Sequence, residues 1–312
     1  LGDFPMLTRV RIAFAAALLA ACAAVPDVTL PIVAAQDKDK GKEEATKAKA
    51  AALANMKKAG VEKPTVVETA NFVIVGSAGE EKLKALGKAM EESVALARKT
   101  LKFDEKETIW KGKLTVYFMP ENAEYKALMR RAFQQPPDAP YLDLRAELPL
   151  FVDPAELPGK PTDGDLYANT AARIAGEHLK AKGTGTQNVP DWLRDGFGRA
   201  TAFRAEGTTS KRYQGYKTQA RAALNPKGEK PPALAEVWGD TKIPGGDALG
   251  TSFAEYLAYG PGAAKFPMLI DGLKPTENNA SPTFVQGLDA AGWKDKDLPA
   301  LDTAWRKWAL GK

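Results

Sequence analysis

Two short β-branched runs, each followed by a helix-period segment, precede a long stretch with no strand signal, and this order narrows the possible architectures sharply. TVVETANFVIVG (65–76) is β-branched and aromatic and ends at Gly76, which predicts a strand. EEKLKALGKAMEESVALARKTLKF follows, with Leu83, Leu86, Met90, Val94, Ala97 and Leu101 at spacings of three and four, the pattern of an amphipathic helix. KLTVYFM (113–119) predicts a second strand stopped by Pro120, and ENAEYKALMRRAF a second helix stopped by QQPPDAP. ELPLFVD (147–153) reads as a third strand, which Pro149 moves toward a sheet edge. From Asp163 onward the pattern is almost entirely helical, with Gly/Pro loops at 183–190, 225–232 and 243–250. The last helix, DLPALDTAWRKWAL, sets Leu298, Leu301, Trp305 and Trp308 on one stripe, as core rather than ligand-binding residues. A small sheet with helices followed by a helical part is an α+β layout.

The N-terminus reads as a signal peptide over residues 1–35. Met6–Arg11 is a short basic region, IAFAAALLAACAAV (12–25) an apolar one, and Val33-Ala34-Ala35 offers small residues before Gln36. The only cysteine, Cys22, follows Leu19-Ala20-Ala21, a lipobox-like context in which it would be acylated; cleavage after Ala35 would remove it instead. Both routes imply export, to the periplasm or cell envelope or beyond it, with membrane attachment only through the leader or a lipid at Cys22. A mature chain without cysteine has no disulfide, so its core must hold by packing. Residues 36–63 carry eight Lys against five Asp and Glu, lack a wide apolar stripe, and read as a solvated tether. The folded part is then 64–312, divided into a sheet-containing portion (64–160) and a helical portion (161–312). The formal charge of the whole chain is +5, most of it in the tether, so the folded part is nearly neutral and nucleic acid is not an expected partner.

Two segments carry the chemistry. Ala175-Gly176-Glu177-His178-Leu179-Lys180 lies on a predicted helix, and Val189-Pro190-Asp191-Trp192-Leu193-Arg194-Asp195-Gly196 opens the next one. A helix bearing H-E-x-x-H holds two imidazoles on one face against a zinc ion, with the Glu polarising the bound water. The chain resembles the peptidase MA-like, or gluzincin, metallopeptidase domains of bacterial secreted proteins. There the second segment reads approximately P-x-W-L-x-E-G, and its Glu is the third ligand. The strand–helix order before the motif, Ser-Phe-x-x-Tyr-Leu at 252–257 and the closing Trp-rich helix are also similar to that family.

The resemblance implies zinc, but its ligands are missing. The first histidine position is Gly176 and the second is Lys180. Glu177 stands at the base position and Asp195 at the third-ligand position. His178 is the only histidine in the chain, so no register supplies two. The expectation is therefore no cofactor, and an exported peptidase-like binding or structural module of the cell envelope, its partner an extended peptide or an envelope protein. The alternative is a metal-independent hydrolase using Glu177 and Asp195. Glu177–Lys180 at i, i+3 is expected to be a simple salt bridge and His178 a packed residue. Asp191 is expected to cap its helix, with Trp192 and Leu193 wedging that helix against the previous one. Whether Arg173, Arg194 and Arg199 converge on a cleft is left open by helical spacing.

Overall fold

The β-branched run at 65–76 turns back on itself. Thr69 N–H donates to Phe72 O at 2.9 Å, and the Glu91 carboxylate accepts from Asn71 N–H at 2.7 Å, closing a turn inside what reads as one strand. The run thus forms an antiparallel hairpin of β1 (Thr65–Glu68) and β2 (Phe72–Gly76). The computed structural model describes residues 38–311 except 155, 156, 158, 184–188, 227–229 and 240–242. The leader assigned to 1–35, including Cys22, lies outside the described residues.

The chain continues through α2 (Glu80–Thr100), β3 (Leu114–Phe118) and α3 (Asn122–Leu128), which runs on as a π-turn over Met129–Phe133. The edge strand β4 (Tyr141–Asp143) and then β5 (Leu150–Asp153) complete a five-stranded sheet of order β1-β2-β3-β5-β4. β2, β3 and β5 are mutually parallel, and the two outer strands are antiparallel to their neighbours. The strand at 147–153 is accordingly interior, not an edge. Pro149 escapes the ladder by sitting just before β5, where its carbonyl accepts from Thr115 N–H at 2.9 Å, so its missing N–H costs nothing.

Strand side chains alternate between two helical layers. Phe72, Ile74, Val116, Phe118 and Phe151 share a core with Leu83, Leu86 and Met90 of α2. Val75, Tyr117 and Val152 face the other way, onto Tyr125 and Leu128 of α3 and onto α1 (Lys38–Ala59). The solvated-tether expectation for 36–63 is therefore corrected. Ala45, Ala48, Ala52, Met56 and Ala59 recur every three to four residues and are buried, and Asn55 Nδ2 donates to Tyr117 Oη at 3.0 Å. A stripe of alanines is weakly hydrophobic in sequence yet lets a helix lie close to a sheet.

The remaining elements are helical: α4 (Asp163–Gly183), α5 (Asp191–Glu206), α6 (Lys211–Leu224), α7 (Leu234–Gly239), α8 (Gly246–Tyr259), α9 (Phe266–Gly272), α10 (Phe284–Ala290) and α11 (Leu298–Leu310). The loop expected at 243–250 ends early. Leu249 is fully buried and its N–H bonds Gly245 O at 2.9 Å, which places 246–250 in the first turns of α8. On α11, Leu301 and Trp305 are buried as the stripe predicts, and Trp305 Nε1 donates to Ser252 Oγ at 3.3 Å. The fold class is α+β, and no described helix is long and apolar enough to cross a membrane.

What positions the site is the contact of α4 with α5. A Cβ on Gly176 would lie 3.0 Å from Arg194 O, and one on Gly198 would collide with Ala172 O. A Cβ on Gly196 would lie 2.8 Å from Gly250 O of α8. Glycines on one seam allow backbone-to-backbone approach that no larger residue permits. With Gly176 facing Arg194 and Ala172 facing Gly198, the two helices run antiparallel along this seam.

Candidate functional site

Residues four apart on a helix share a face. On α4 this aligns Asn169, Arg173 and Glu177; on α5 it aligns Asp195 with Arg199. Both stripes border one cavity of about 370 Å³, closed on its other side by Leu114, Leu142, Leu144 and Phe151 of the sheet region and by Trp110. The three arginines whose convergence the sequence leaves open, Arg173, Arg194 and Arg199, all line it.

Each guanidinium meets a carboxylate. Arg173 pairs at 3.2 Å with Asp153, which is fully buried and also accepts from Thr170 Oγ1. Arg194 lies between Asp191 at 2.9 Å and Asp195 at 2.8 Å. Arg199 reaches Asp247 at 3.1 Å, and that aspartate side chain is 81 % exposed. Asp191 does not cap α5: Pro190 holds the cap position, and Asp191 sits in the first turn with its carboxylate on Arg194. Its negative charge still suits a helix N-terminus.

Glu177 and Asp195, the two acids at the motif positions, line the same cavity. Their surroundings differ. Asp195 is half-exposed and held by Arg194. Glu177 is largely shielded from water, and its ion pair with Lys180, the expected i, i+3 partner, is long at 3.9 Å. Burial pushes the Glu177 carboxyl above its usual range, against the pull of Lys180 and Arg194. A carboxyl in that state is a competent proton donor or acceptor, whereas Asp195 is tied to Arg194, which it shares with Asp191.

The two positions where a zinc site needs imidazoles do not fit the metal. Gly176 has no side chain and is pressed against Arg194, so any larger residue there meets the α5 backbone. Lys180 presents an ammonium turned to Glu177. Among the described residues no group of three or more His, Cys, Asp and Glu is placed to hold a metal ion.

His178 is 1 % exposed and belongs to the core. Its Nδ1 pairs with Ile174 O at 2.9 Å, and Phe103 and Trp110 meet the imidazole edge-on with centroids 5.7 and 5.2 Å away. Burial pushes it down to about 4, so it is neutral at physiological pH. Leu193 is buried in the core that also holds Ala175 and Leu179, as a wedge against α4 would be. Trp192 instead turns toward α8 and α10, stacking on Phe253 at 5.9 Å and meeting Phe284 edge-on at 5.0 Å.

Sequence reasoning did not single out Asn169, Trp110 or the Leu142–Leu144 wall. The i, i+4, i+8 run Asn169–Arg173–Glu177 was a usable signal; the wall was not, because it approaches from a distant part of the chain. No protein-family model, no curated protein and no solved structure matches this chain.

Proposed function

We propose that this chain is an exported, catalytically inactive relative of the gluzincin metallopeptidases that binds extended peptide at the cell envelope. The observation that carries the reading is the cavity at the degenerate motif. It keeps Glu177 and Asp195 on its wall, while the two histidine positions are a helix-seam glycine and a lysine. The sheet's outer strand β4 supports the peptide part. Among the described residues it bonds only β5 within the sheet, and Leu142 on it faces the cavity, so a peptide laid along its other edge would present side chains there. The leader and the lipobox-like Cys22 carry the envelope assignment. Mass spectrometry of the mature N-terminus distinguishes Gln36 from an acylated Cys22.

The central test is zinc content and zinc titration of the chain from Gln36 onward, purified without a histidine tag. No bound zinc and no tight binding is expected; stoichiometric zinc would overturn the ligand assignment and revive peptidase activity. A second reading, a metal-independent hydrolase, is favoured by the desolvated Glu177 carboxyl beside Asp195. It requires a measurable hydrolysis that Glu177→Gln abolishes without unfolding the protein.

A further inference from the structure

The two ends of the cavity are chemically unlike. Because α4 and α5 run antiparallel along their seam, Asn169 and Arg199 come to the same end, where both also border an adjoining groove that Glu177, Arg194 and Asp195 do not touch. Eight residues separate Asn169 from Glu177, about 12 Å along the helix axis at 1.5 Å per residue. Asn169 Nδ2 is buried and has no hydrogen-bond partner among the described residues. A buried donor left unpaired costs roughly 1–3 kcal/mol, and a turn of the Asn169 side chain toward the cavity it lines would let a ligand's acceptor relieve that cost.

Arg199 supplies the charge. Arg173 is committed to the buried Asp153, and Arg194 is shared between two aspartates. The ion pair of Arg199 is with the exposed Asp247, an arrangement worth little in water and readily exchanged. A guanidinium with a replaceable partner, lining the same cavity and groove as an unpaired amide N–H, makes a carboxylate receptor, since both donate and a carboxylate only accepts. The wall of Leu142, Leu144 and Phe151 lies toward the Glu177 end, because β5 meets Thr170 and Arg173 through Asp153 at its other end, and it would take apolar side chains of the residues that precede that carboxylate.

We propose that the Asn169–Arg199 end of the cavity binds the free C-terminal carboxylate of a peptide whose apolar side chains lie along the Leu142–Phe151 wall. The peptide's preceding residues run toward Glu177. At about 3.3–3.6 Å per extended residue, the 12 Å span accommodates three to four of them. At about 12 Å, Glu177 repels the ligand carboxylate far less than Arg199 attracts it in direct contact. This proposal rests on the peptide-binding reading above and adds to it a polarity and a terminal group.

The experiment compares fluorescein-labelled hexapeptide pools, randomised at five positions and ending in Leu, as free acids and as C-terminal carboxamides, by fluorescence anisotropy. N-acetyl-leucine serves as a small-acid competitor. The free acids are expected to bind at least tenfold tighter than the carboxamides. Arg199→Gln should bring the two pools to within twofold of each other, Arg199→Lys should restore part of the difference, and Asn169→Leu should weaken the acids alone. Equal binding of acids and carboxamides by the unsubstituted chain overturns the carboxylate receptor and leaves peptide binding standing. Binding of neither pool overturns both. Competition by N-acetyl-leucine at the same concentration as the peptides overturns the peptide and assigns the cavity to small acids.

Discussion

Glu255, fully buried, and Glu177, largely shielded, sit on two helices that both pack against α5 and meet opposite fates. Glu255 on α8 is fully buried and saturated: Arg204 donates at 2.5 Å, Tyr213 Oη at 2.7 Å, Lys217 Nζ at 3.1 Å, and Tyr216 Oη closes the fourth side. Burial works against its charge, but Lys217, the two tyrosines and Arg204 outweigh it and hold the carboxyl below its ordinary range. Glu177 on α4 has its ion pair at 3.9 Å, and there burial wins. A carboxylate ringed by donors belongs to the fold. One that is desolvated beside a cavity and held only loosely is available to something else. This contrast separates structure from site more clearly than the motif does.

The largest expected effect lies at the saturated end. Glu255→Ala strands Lys217 and Arg204 beside a hole, and losing one partner of a buried ionic network costs about 3–5 kcal/mol. Chemical denaturation should show that loss; a loss under about 1 kcal/mol would mean the ring of donors is not stabilising and would break the comparison. The sign of its pH dependence also follows. With the folded carboxyl depressed, the stabilisation is present above the unfolded value near 4.3 and is lost as pH falls through the folded one.

His178 offers the next largest effect and the cleanest spectrum, because the chain has one histidine. Its imidazole should titrate by NMR near 4. A depressed histidine stabilises the folded state above its unfolded value of about 6.5 and loses that stabilisation as pH falls toward 4. Between pH 7 and 4 the loss should reach about 3 kcal/mol, a window above that of Glu255. Replacing His178 with Leu should flatten the slope between pH 6.5 and 4. An imidazole titrating near 6.5 would show that it is open to water and return it to the list of chemical groups.

How much of this was legible follows from the range over which each feature is determined. Strand β3 and helix α2 were readable because alternation and the Leu83–Leu101 stripe are local. The hairpin inside 65–76 was not, since its turn is tied by Glu91, some twenty residues further on. Helix α1 was hidden by its own chemistry: alanines at Ala45, Ala48 and Ala52 carry little hydropathy but pack closely. The acids Glu177 and Asp195 were found through the motif. Their convergence with Arg173 and Arg199 depends on how α4 meets α5, which Gly176 and Gly198 decide through space rather than through periodicity.

That seam supplies a smaller but sharper test. Gly176→His and Lys180→His together would write H-E-x-x-H, the two imidazoles of a zinc-binding helix, into α4. At Gly176, however, even a Cβ approaches Arg194 O to 3.0 Å, so α5 must shift to admit the ring. Overpacking of this kind costs about 1–3 kcal/mol. The double variant should be destabilised and should not gain tight zinc binding. Zinc binding with unchanged stability would show that the seam yields and that only the ligands are missing.

The smallest effect tests the cavity end of the comparison directly. Glu177→Gln keeps the shape of the side chain and removes a charge that burial disfavours. A raised carboxyl means the folded state carries an electrostatic cost wherever the group is ionised, so at pH 7 the glutamine variant should be the more stable, within about 1 kcal/mol. As pH falls through the raised folded value and then below about 4.3, the native glutamate becomes neutral in both states and the advantage should vanish. Glu255 should do the opposite over the same range, gaining nothing from neutralisation and losing its ring of partners. Thermal midpoints of both variants across pH 3–8 decide the matter: if Glu177→Gln is destabilising at pH 7, the Glu177 carboxylate is as structural as that of Glu255, and the cavity loses the one acid that sets it apart from the core.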